Sequence, residues 1–267
     1  MNESEFYTLE DRDARMEHLL HYAALAPSRH AAQPWRFALV PQGIEIFAGG
    51  TDRASLLSAG AAITCLRVAA AHFGFDSNVR YQRAPDATPA AVLVALRATL
   101  APDPSLVRLF PAIARQHTNR DAFDGEPIDP QPLSDVCDLL DAHGAALRLV
   151  LPRDWQRVAE MAAGNDSVAH ASMLVVVTAA DDAVALLKAG ELAERLLLTV
   201  TLADLEYSFL NEVVDDGASR DALRALIHSP SPPQMLLVIG HVQGLRVHQQ
   251  CPRSDRSRIT SYDAFTS

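Results

Sequence analysis

The sequence has 267 residues, which is enough for one large domain or two modest ones with a sizeable core. Hydrophobic residues make up 49% and charged residues 21%, the ordinary composition of a globular protein. The formal net charge of −10 argues against non-specific binding to nucleic acid or to an anionic membrane. No run approaches the roughly 20 uninterrupted apolar residues that a transmembrane helix needs.

The cysteines and the amino terminus give further exclusions. Cys65, Cys137 and Cys251 lie far apart and form no Cys-x-x-Cys pair, which argues against a disulfide framework and against a zinc site. The first ten residues are acidic and polar, so they lack the basic start and apolar centre of a signal peptide. We therefore expect a cytoplasmic protein with no metal site, no nucleic-acid partner and no membrane partner.

Apolar periodicity and turn residues divide the first hundred residues into alternating helices and strands. In chain order the predicted elements are a helix at 13–26, strands at 36–40 and 43–48, a helix at 59–73 and a buried strand at 90–98. Pro27 ends the first helix, and Gly74 closes the second. The prolines in 101–106 mark the best candidate linker, so a domain boundary is expected at 104/105.

The remaining residues repeat this alternation. In chain order they predict a helix at 106–116 broken near Pro111, helices at 132–140, 154–163 and 184–205, and strands at 147–151, 173–179 and 232–242. A loop rich in aromatic and acidic residues is expected at 205–216, directly after the longest helix.

Three segments of the second half match the first half in the same order. The matched pairs are 18–40 with 138–152, 59–75 with 189–207, and 88–99 with 231–242. This match favours an internal duplication, although helix–turn–strand units resemble one another in any α/β protein. We therefore expect an α/β (α+β) fold of two pseudo-symmetric halves, residues 1–104 and 105–267. Each half should be a helix-flanked, mainly antiparallel sheet.

The most distinctive segment runs from Pro27 to Phe37, with the sequence PSRHAAQPWRF. Its prolines restrict the backbone, and Trp35 offers a flat apolar wall. Polar side chains in the segment come from Ser28, Arg29, His30 and Gln33. Such a loop suits a planar heteroaromatic ligand whose edge needs several hydrogen bonds. The alternative is a rigid surface loop in which Trp35 anchors the backbone in the core.

A second polar constellation lies at 115–123, with the sequence RQHTNRDAF. The guanidinium groups of Arg115 and Arg120, with neutral donors on Thr118 and Asn119, suit a phosphate dianion. The alternative is a helix-terminating turn with solvated arginines.

The Pro27–Phe37 loop resembles the Pro-Ser-x-x-Asn-x-Gln-Pro-Trp segment of the nitroreductase superfamily of FMN oxidoreductases. More narrowly, it is similar to the Ala-Pro-Ser-x-His-Asn-x-Gln-Pro-Trp-Arg form of the Acg family, whose members look like a nitroreductase homodimer fused into one chain. Residues 115–123 resemble that family's Arg-x-x-Thr-Asn-Arg-x-x-Phe segment. The resemblance extends from about residue 13 to about residue 260. In one respect the loop departs from the family, because Ala31 stands where the family has a flavin-facing asparagine.

The resemblance implies a nitroreductase-like fold and one FMN per chain, since the loop occurs only in the first half and the arginine segment only in the second. The implied flavin contacts in the loop are Pro27, Ser28, Arg29, His30, Gln33 and Trp35. The implied phosphate contacts are Arg115, Thr118, Asn119 and Arg120, with Arg253, Arg256 and Arg258 of the tail closing over the same phosphate. Asn211 is expected at the flavin N5 edge and Asn165 at the pyrimidine edge. A plain loop at Asn211 and a disordered basic tail remain the alternatives.

The implied activity is that of an FMN-dependent oxidoreductase. NAD(P)H would act as a transient electron donor, and hydride would pass by a ping-pong mechanism through flavin N5 to a small nitroaromatic, quinone-like or other conjugated substrate. No catalytic side chain is required, because the flavin carries the chemistry. Two other functions stay open: a non-enzymatic protein that sequesters flavin, and a biosynthetic dehydrogenase that uses FMN and O₂. The chain is expected to be a monomer or a homodimer.

Overall fold

A computed structural model describes residues 3–82, 91–126, 128, 144–162, 171–242 and 259–261. The chain divides into two compact units. Unit 1 comprises Met1–Ala114 and Cys251–Ser267, and unit 2 comprises Arg115–Gln250. The domain boundary at 104/105 stays a prediction, and the helix expected at 132–140 lies outside the described residues.

The described strands and helices alternate along the chain. The strands are β1 (Trp35–Val40), β2 (Gly43–Ala48), β3 (Phe75–Gln82), β4 (Ala91–Ala98), β5 (Ala145–Val150), β6 (Ser172–Thr178), β7 (Glu206–Phe209), β8 (Pro233–Gly240) and β9 (Ile259–Ser261). The helices are α1 (Glu3–Thr8), α2 (Arg12–Ala23), α3 (Arg53–His72), α4 (Pro104–Val107), α5 (Phe110–Ile113), α6 (Trp155–Met161), α7 (Ala183–Leu202), α8 (Glu212–Asp215) and α9 (Gly217–Leu226).

Unit 1 is built on a sheet with the strand order β3-β4-β2-β1-β9. Its strands pair antiparallel, except that β9 runs parallel to β1. Helix α3 lies against this sheet and is buried along almost its whole length, because small and apolar residues cover all its faces. It begins at Asp52, whose carboxylate accepts a hydrogen bond from the Ser55 N–H. It ends before Gly74, whose φ of +81° is the left-handed conformation that glycine adopts without strain.

By length and composition alone, helix α3 could cross a membrane. However, 89% of its 18-residue apolar stretch is buried inside the protein. That burial is the pattern of a core helix. The cytoplasmic location stays a prediction.

Unit 2 is built on an antiparallel sheet with the strand order β5-β6-β8-β7. Strand β8 is buried at every position and forms the centre of the core. Helix α7 lies against this sheet and begins at Asp182, whose carboxylate accepts from the Ala185 N–H. The residue that follows its C-terminal cap is Asp204, which has a φ of +56°.

The two sheets have the same internal topology. The order β1-β2-β4-β3 of unit 1 corresponds to β5-β6-β8-β7 of unit 2, with a 20-residue helix after the second strand in each. The pairing register also corresponds. Ala95 of β4 lies opposite Gly43 and Asn78, while Val238 of β8 lies opposite Met173 and Ser208. A bulge near Val176 interrupts this correspondence in unit 2.

Most predicted elements are confirmed, with ends shifted by a few residues. The α/β (α+β) class, the antiparallel sheets and the two long buried helices are all present. The hairpin at 36–48 is present, and the break near Pro111 is observed between α4 and α5.

Three expectations were wrong. The segment 205–216, expected as a loop, contains strand β7 and helix α8, because its apolar residues pair with and pack on β8. Strand β4 is half-buried rather than fully buried, since only one of its faces covers the core. The broken helix expected at 106–116 begins two residues earlier, at Pro104 inside the expected linker, and ends at Ile113. Strand β3 and helices α1 and α9 were not predicted.

Candidate functional site

The loop of unit 1 between α2 and β1 has an unusual backbone. It contains a short 3₁₀ turn at Arg29–Ala31. His30, Ala31 and Gln33 have φ values of 54°, 55° and 47°, all in the left-handed region. A non-glycine residue in that region costs about 1–2 kcal/mol, so the surrounding contacts must hold the loop in this shape.

Hydrogen bonds within the loop supply that constraint. The Ser28 hydroxyl accepts from the Gln33 N–H at 2.9 Å, and the Gln33 side-chain amide donates to the Ala24 carbonyl at 3.0 Å. The Trp35 N–H donates to the Gln33 carbonyl at 2.8 Å, and the Ala31 N–H donates to the Ser28 carbonyl at 3.0 Å. The polar groups of Ser28 and Gln33 therefore shape the loop itself.

Burial separates the loop residues into two groups. Trp35 is only 2% exposed and lies in the core of unit 1, as the rigid-loop alternative predicts. Pro27, Ser28 and Gln33 are partly buried, whereas Arg29, His30 and Ala31 are exposed at the tip. The side chains that the loop offers to a ligand are therefore chiefly those of Arg29 and His30.

The segment 115–119 of unit 2 runs beside the end of α7 and the start of β7. The Arg115 Nη2 atom donates to an Asp204 carboxylate oxygen at 2.6 Å, and the Gln116 amide donates to Glu194 at 2.9 Å. Two further contacts follow along the segment. His117 Nε2 lies 3.2 Å from Glu206 Oε2, and the Asn119 N–H donates to the Tyr207 carbonyl at 2.7 Å. The segment is thus held at regular intervals along its length.

The next residues divide between local structure and solvent. Asn119 is 7% exposed; its side-chain oxygen accepts from the Asp121 N–H at 3.0 Å, and its amide donates to the Asp121 carbonyl at 2.8 Å. Thr118 and Arg120 are exposed, and neither side chain has a hydrogen bond or ion pair within the described residues. The hydroxyl of Thr118 and the guanidinium of Arg120 are therefore open to an anion.

Asn211 has a structural contact. Its side-chain oxygen accepts from the Leu236 N–H at 3.2 Å, next to the bond from the Leu210 N–H to the Leu236 carbonyl. The side chain thereby extends the β7–β8 ladder beyond the last residue of β7. The other expected contacts, Asn165, Arg253, Arg256 and Arg258, lie outside the described residues.

Sequence reasoning missed the carboxylates that hold the 115–119 segment. Glu194 is fully buried on α7, and Glu206 is 6% exposed on β7. A glutamate within the apolar run of α7 was the available signal, because a charged residue is rarely buried without a partner. Asp204 gave no such signal, since its left-handed backbone is not visible in the sequence.

The side-chain donors of the 115–120 segment that have no partner among the described residues suit a phosphate. Asp204 engages one terminal nitrogen of Arg115, and among the described residues the other guanidinium nitrogens have no partner. Together with Thr118 and Arg120, they provide the cationic and neutral donors that a dianion requires. One N–H of the Asn119 side-chain amide donates to the Asp121 carbonyl and its oxygen accepts from the Asp121 N–H, so the contribution of Asn119 to a phosphate site stays a prediction.

Comparison with solved structures defines the class of fold. The chain superposes on the crystal structure of a "putative nitroreductase" from Anabaena variabilis with a TM-score of 0.66, covering 90% of this chain and 91% of that one at 11% identity. The protein therefore has a nitroreductase-like α/β fold.

Sequence comparison specifies the relationship further, although no protein-family model matches the chain. A Mycobacterium tuberculosis protein named "Putative NAD(P)H nitroreductase Rv3131" is 27% identical over 83% of this chain and 83% of its own length. Another protein of that organism, named "Putative NAD(P)H nitroreductase acg", is 35% identical over 71 residues, 27% of this chain and 22% of its own. The resemblance to the nitroreductase superfamily and its Acg-like members is thereby confirmed.

Proposed function

We propose that this chain is an FMN-dependent oxidoreductase of the nitroreductase type, which takes electrons from NAD(P)H and delivers them to a small conjugated acceptor. The observation that carries the proposal is the 115–120 segment, which is firmly held in unit 2 and leaves Thr118 and Arg120 open to an anion. The names of the M. tuberculosis relatives support the same reaction class.

The residues assigned to the phosphate are Arg115, Thr118 and Arg120, by the chemistry of their donors. Arg29 and His30 at the tip of the loop are assigned to the polar edge of the flavin ring. FMN, when bound, supplies the hydride-accepting chemistry, so the protein needs only to bind and orient it and its substrates. An arginine or a protonated histidine at the ring edge would favour the negative charge that the flavin gains on reduction.

We further propose that the chain arose by duplication and binds a single FMN. The equal strand order and pairing register of the two sheets support the duplication. The occurrence of the loop only in unit 1 and of the arginine segment only in unit 2 supports a single cofactor.

Anaerobic mixing of the FMN-loaded protein with NADH or NADPH tests the activity. We expect the visible flavin absorbance to bleach and to return when a quinone or a nitroaromatic compound is added. Flavin that neither nucleotide bleaches would overturn the reductase function and favour flavin sequestration. Bleaching by a nucleotide that no quinone or nitroaromatic compound reverses would overturn the proposed acceptor class.

The phosphate assignment has a separate test with a matched control. Arg120→Ala should weaken FMN binding by about tenfold or more, since a charge-assisted contact to phosphate is lost. Arg157→Ala removes another exposed arginine of unit 2, one whose side chain is 67% exposed, and should leave binding unchanged. Equal FMN affinity in the two variants would place the phosphate elsewhere.

A further inference from the structure

Three carboxylates meet one short segment of unit 2. Arg115 binds Asp204, Gln116 binds Glu194, and His117 binds Glu206. They come from three places in the fold: the end of α7, the middle of α7 and the first position of β7. The far end of the segment is held separately, by the bond from the Asn119 N–H to the backbone of β7.

We propose that Glu194, Asp204 and Glu206 are positioning residues, which fix the 115–119 segment so that its donors meet the phosphate of the cofactor in one arrangement. The inference rests on the proposed FMN function. It goes beyond that function because it assigns a role to residues that do not touch the ligand.

Stability alone does not account for these carboxylates. Glu194 is fully buried and Glu206 nearly so, and removing a carboxyl group from water costs free energy that its hydrogen-bonding partner repays only in part. An apolar side chain at either position would avoid that cost. What the carboxylates do provide is a fixed location for Gln116 and His117.

Asp204 is a second, independent case of a residue that is kept at a cost to stability. Its φ of +56° lies in the left-handed region, which strains a residue with a side chain, although aspartate tolerates this region better than most. The corresponding position after α3 in unit 1 is Gly74, with a φ of +81°. A glycine at 204 would relieve the strain but would lose the 2.6 Å contact with Arg115.

The physical benefit is a lower entropy cost of binding. A solvated arginine loses rotamer freedom when a ligand fixes it, and this loss of entropy weakens binding. Arg115 loses part of that freedom beforehand, because Asp204 already holds one of its nitrogens. The backbone of Thr118 is likewise fixed between two held neighbours, His117 and Asn119.

Comparison of FMN with riboflavin isolates the phosphate contribution, because the two ligands differ only in that group. Dissociation constants for both are to be measured on the full chain by fluorescence quenching. We expect the wild type to prefer FMN. Asp204→Gly and Glu206→Ala should each reduce that preference by about fivefold to tenfold while leaving the riboflavin affinity close to wild type.

Conservative and remote variants control for simple loss of stability. Glu206→Gln keeps an oxygen that can accept from His117 and should retain most of the FMN preference. Asp181→Ala breaks the bidentate Arg220–Asp181 ion pair elsewhere in unit 2, at 2.8 and 3.0 Å, and should leave the preference unchanged. Because Asp204 is 70% exposed and strained, Asp204→Gly should fold even where a buried variant does not.

The outcomes separate the two proposals. A wild type that binds FMN and riboflavin equally would overturn the phosphate site on which the inference depends. A wild type that prefers FMN, with an unchanged preference in Asp204→Gly, would overturn the positioning role alone. Equal losses of FMN and riboflavin affinity in the variants would also overturn it, because they would indicate a general effect on the fold.

Discussion

Replacement of Ala31 tests whether the loop is strained at the position where it departs from the Acg-family motif that it resembles. Ala31 is exposed and has a φ of 55°, in the left-handed region. That conformation costs an alanine about 1–2 kcal/mol, whereas glycine adopts it freely. Glycine also gives the unfolded chain more conformational freedom. This freedom favours unfolding by roughly 0.5–1 kcal/mol and so offsets part of the gain from relieved strain. The free energy of unfolding of Ala31→Gly should therefore exceed that of the wild type by about 0.5–1 kcal/mol.

Ala32 is the matched control. It is also exposed, but its φ of −68° is right-handed, so glycine relieves no strain there. Ala32→Gly should lower the free energy of unfolding by about 0.5–1 kcal/mol. Urea titrations followed by tryptophan fluorescence and circular dichroism would measure both variants.

Ala31→Asn distinguishes the effect of backbone strain on stability from the effect of a side-chain contact on FMN binding. Asparagine is enriched in the left-handed region, so this variant should also be stabilised. If the position faces the flavin, the added amide should tighten FMN binding in Ala31→Asn but not in Ala31→Gly. The reasoning would be refuted if Ala31→Gly destabilised the protein as much as Ala32→Gly does.

Other predictions concern residues outside the proposed site. Burial lowers the pKa of His18, so the unfolded chain takes up a proton near pH 6.5 before the folded chain does. Stability should therefore decrease as the pH falls below about 6.5, and His18→Leu should remove that dependence in urea titrations. Hydrogen bonds from the Ser55 hydroxyl and N–H lower the pKa of Asp52. Asp52→Ala should thus cost about 1 kcal/mol at neutral pH and less in acid, where the native carboxylate is protonated. Gly43→Ala should lower the thermal midpoint far more than a surface substitution, because its Cβ would collide with the Val94 carbonyl.

The sequence predicted those parts of the fold that depend on apolar pattern. The two long buried helices and the hairpin at 36–48 are recognisable because period and turn residues agree over many positions. Strand β7 was missed because it is only four residues long and its burial follows from pairing with β8. Strand β3 alternates in burial, but its outward residues are polar and its sequence lacks a strong β-branched run.

The sequence identified the polar residues of the candidate site but not the contacts that each of them makes. Ser28 and Gln33 were recognised as polar loop residues, yet their side chains hold the loop together. Asn119 was predicted as a phosphate donor, and its side chain also bonds to the backbone of Asp121, a local turn that the residue pattern did not indicate. Such assignments depend on left-handed backbone angles and on local turns, which a residue pattern does not specify.

The most direct test of the account is the amount of FMN bound per chain. The purified protein should be reconstituted with excess FMN and freed of unbound flavin. The flavin released on denaturation is then quantified against protein concentration. We expect a yellow protein with a flavin spectrum and one FMN per chain. A colourless protein that takes up no FMN would contradict the flavoprotein proposal. Two FMN per chain would contradict the proposal of a single cofactor.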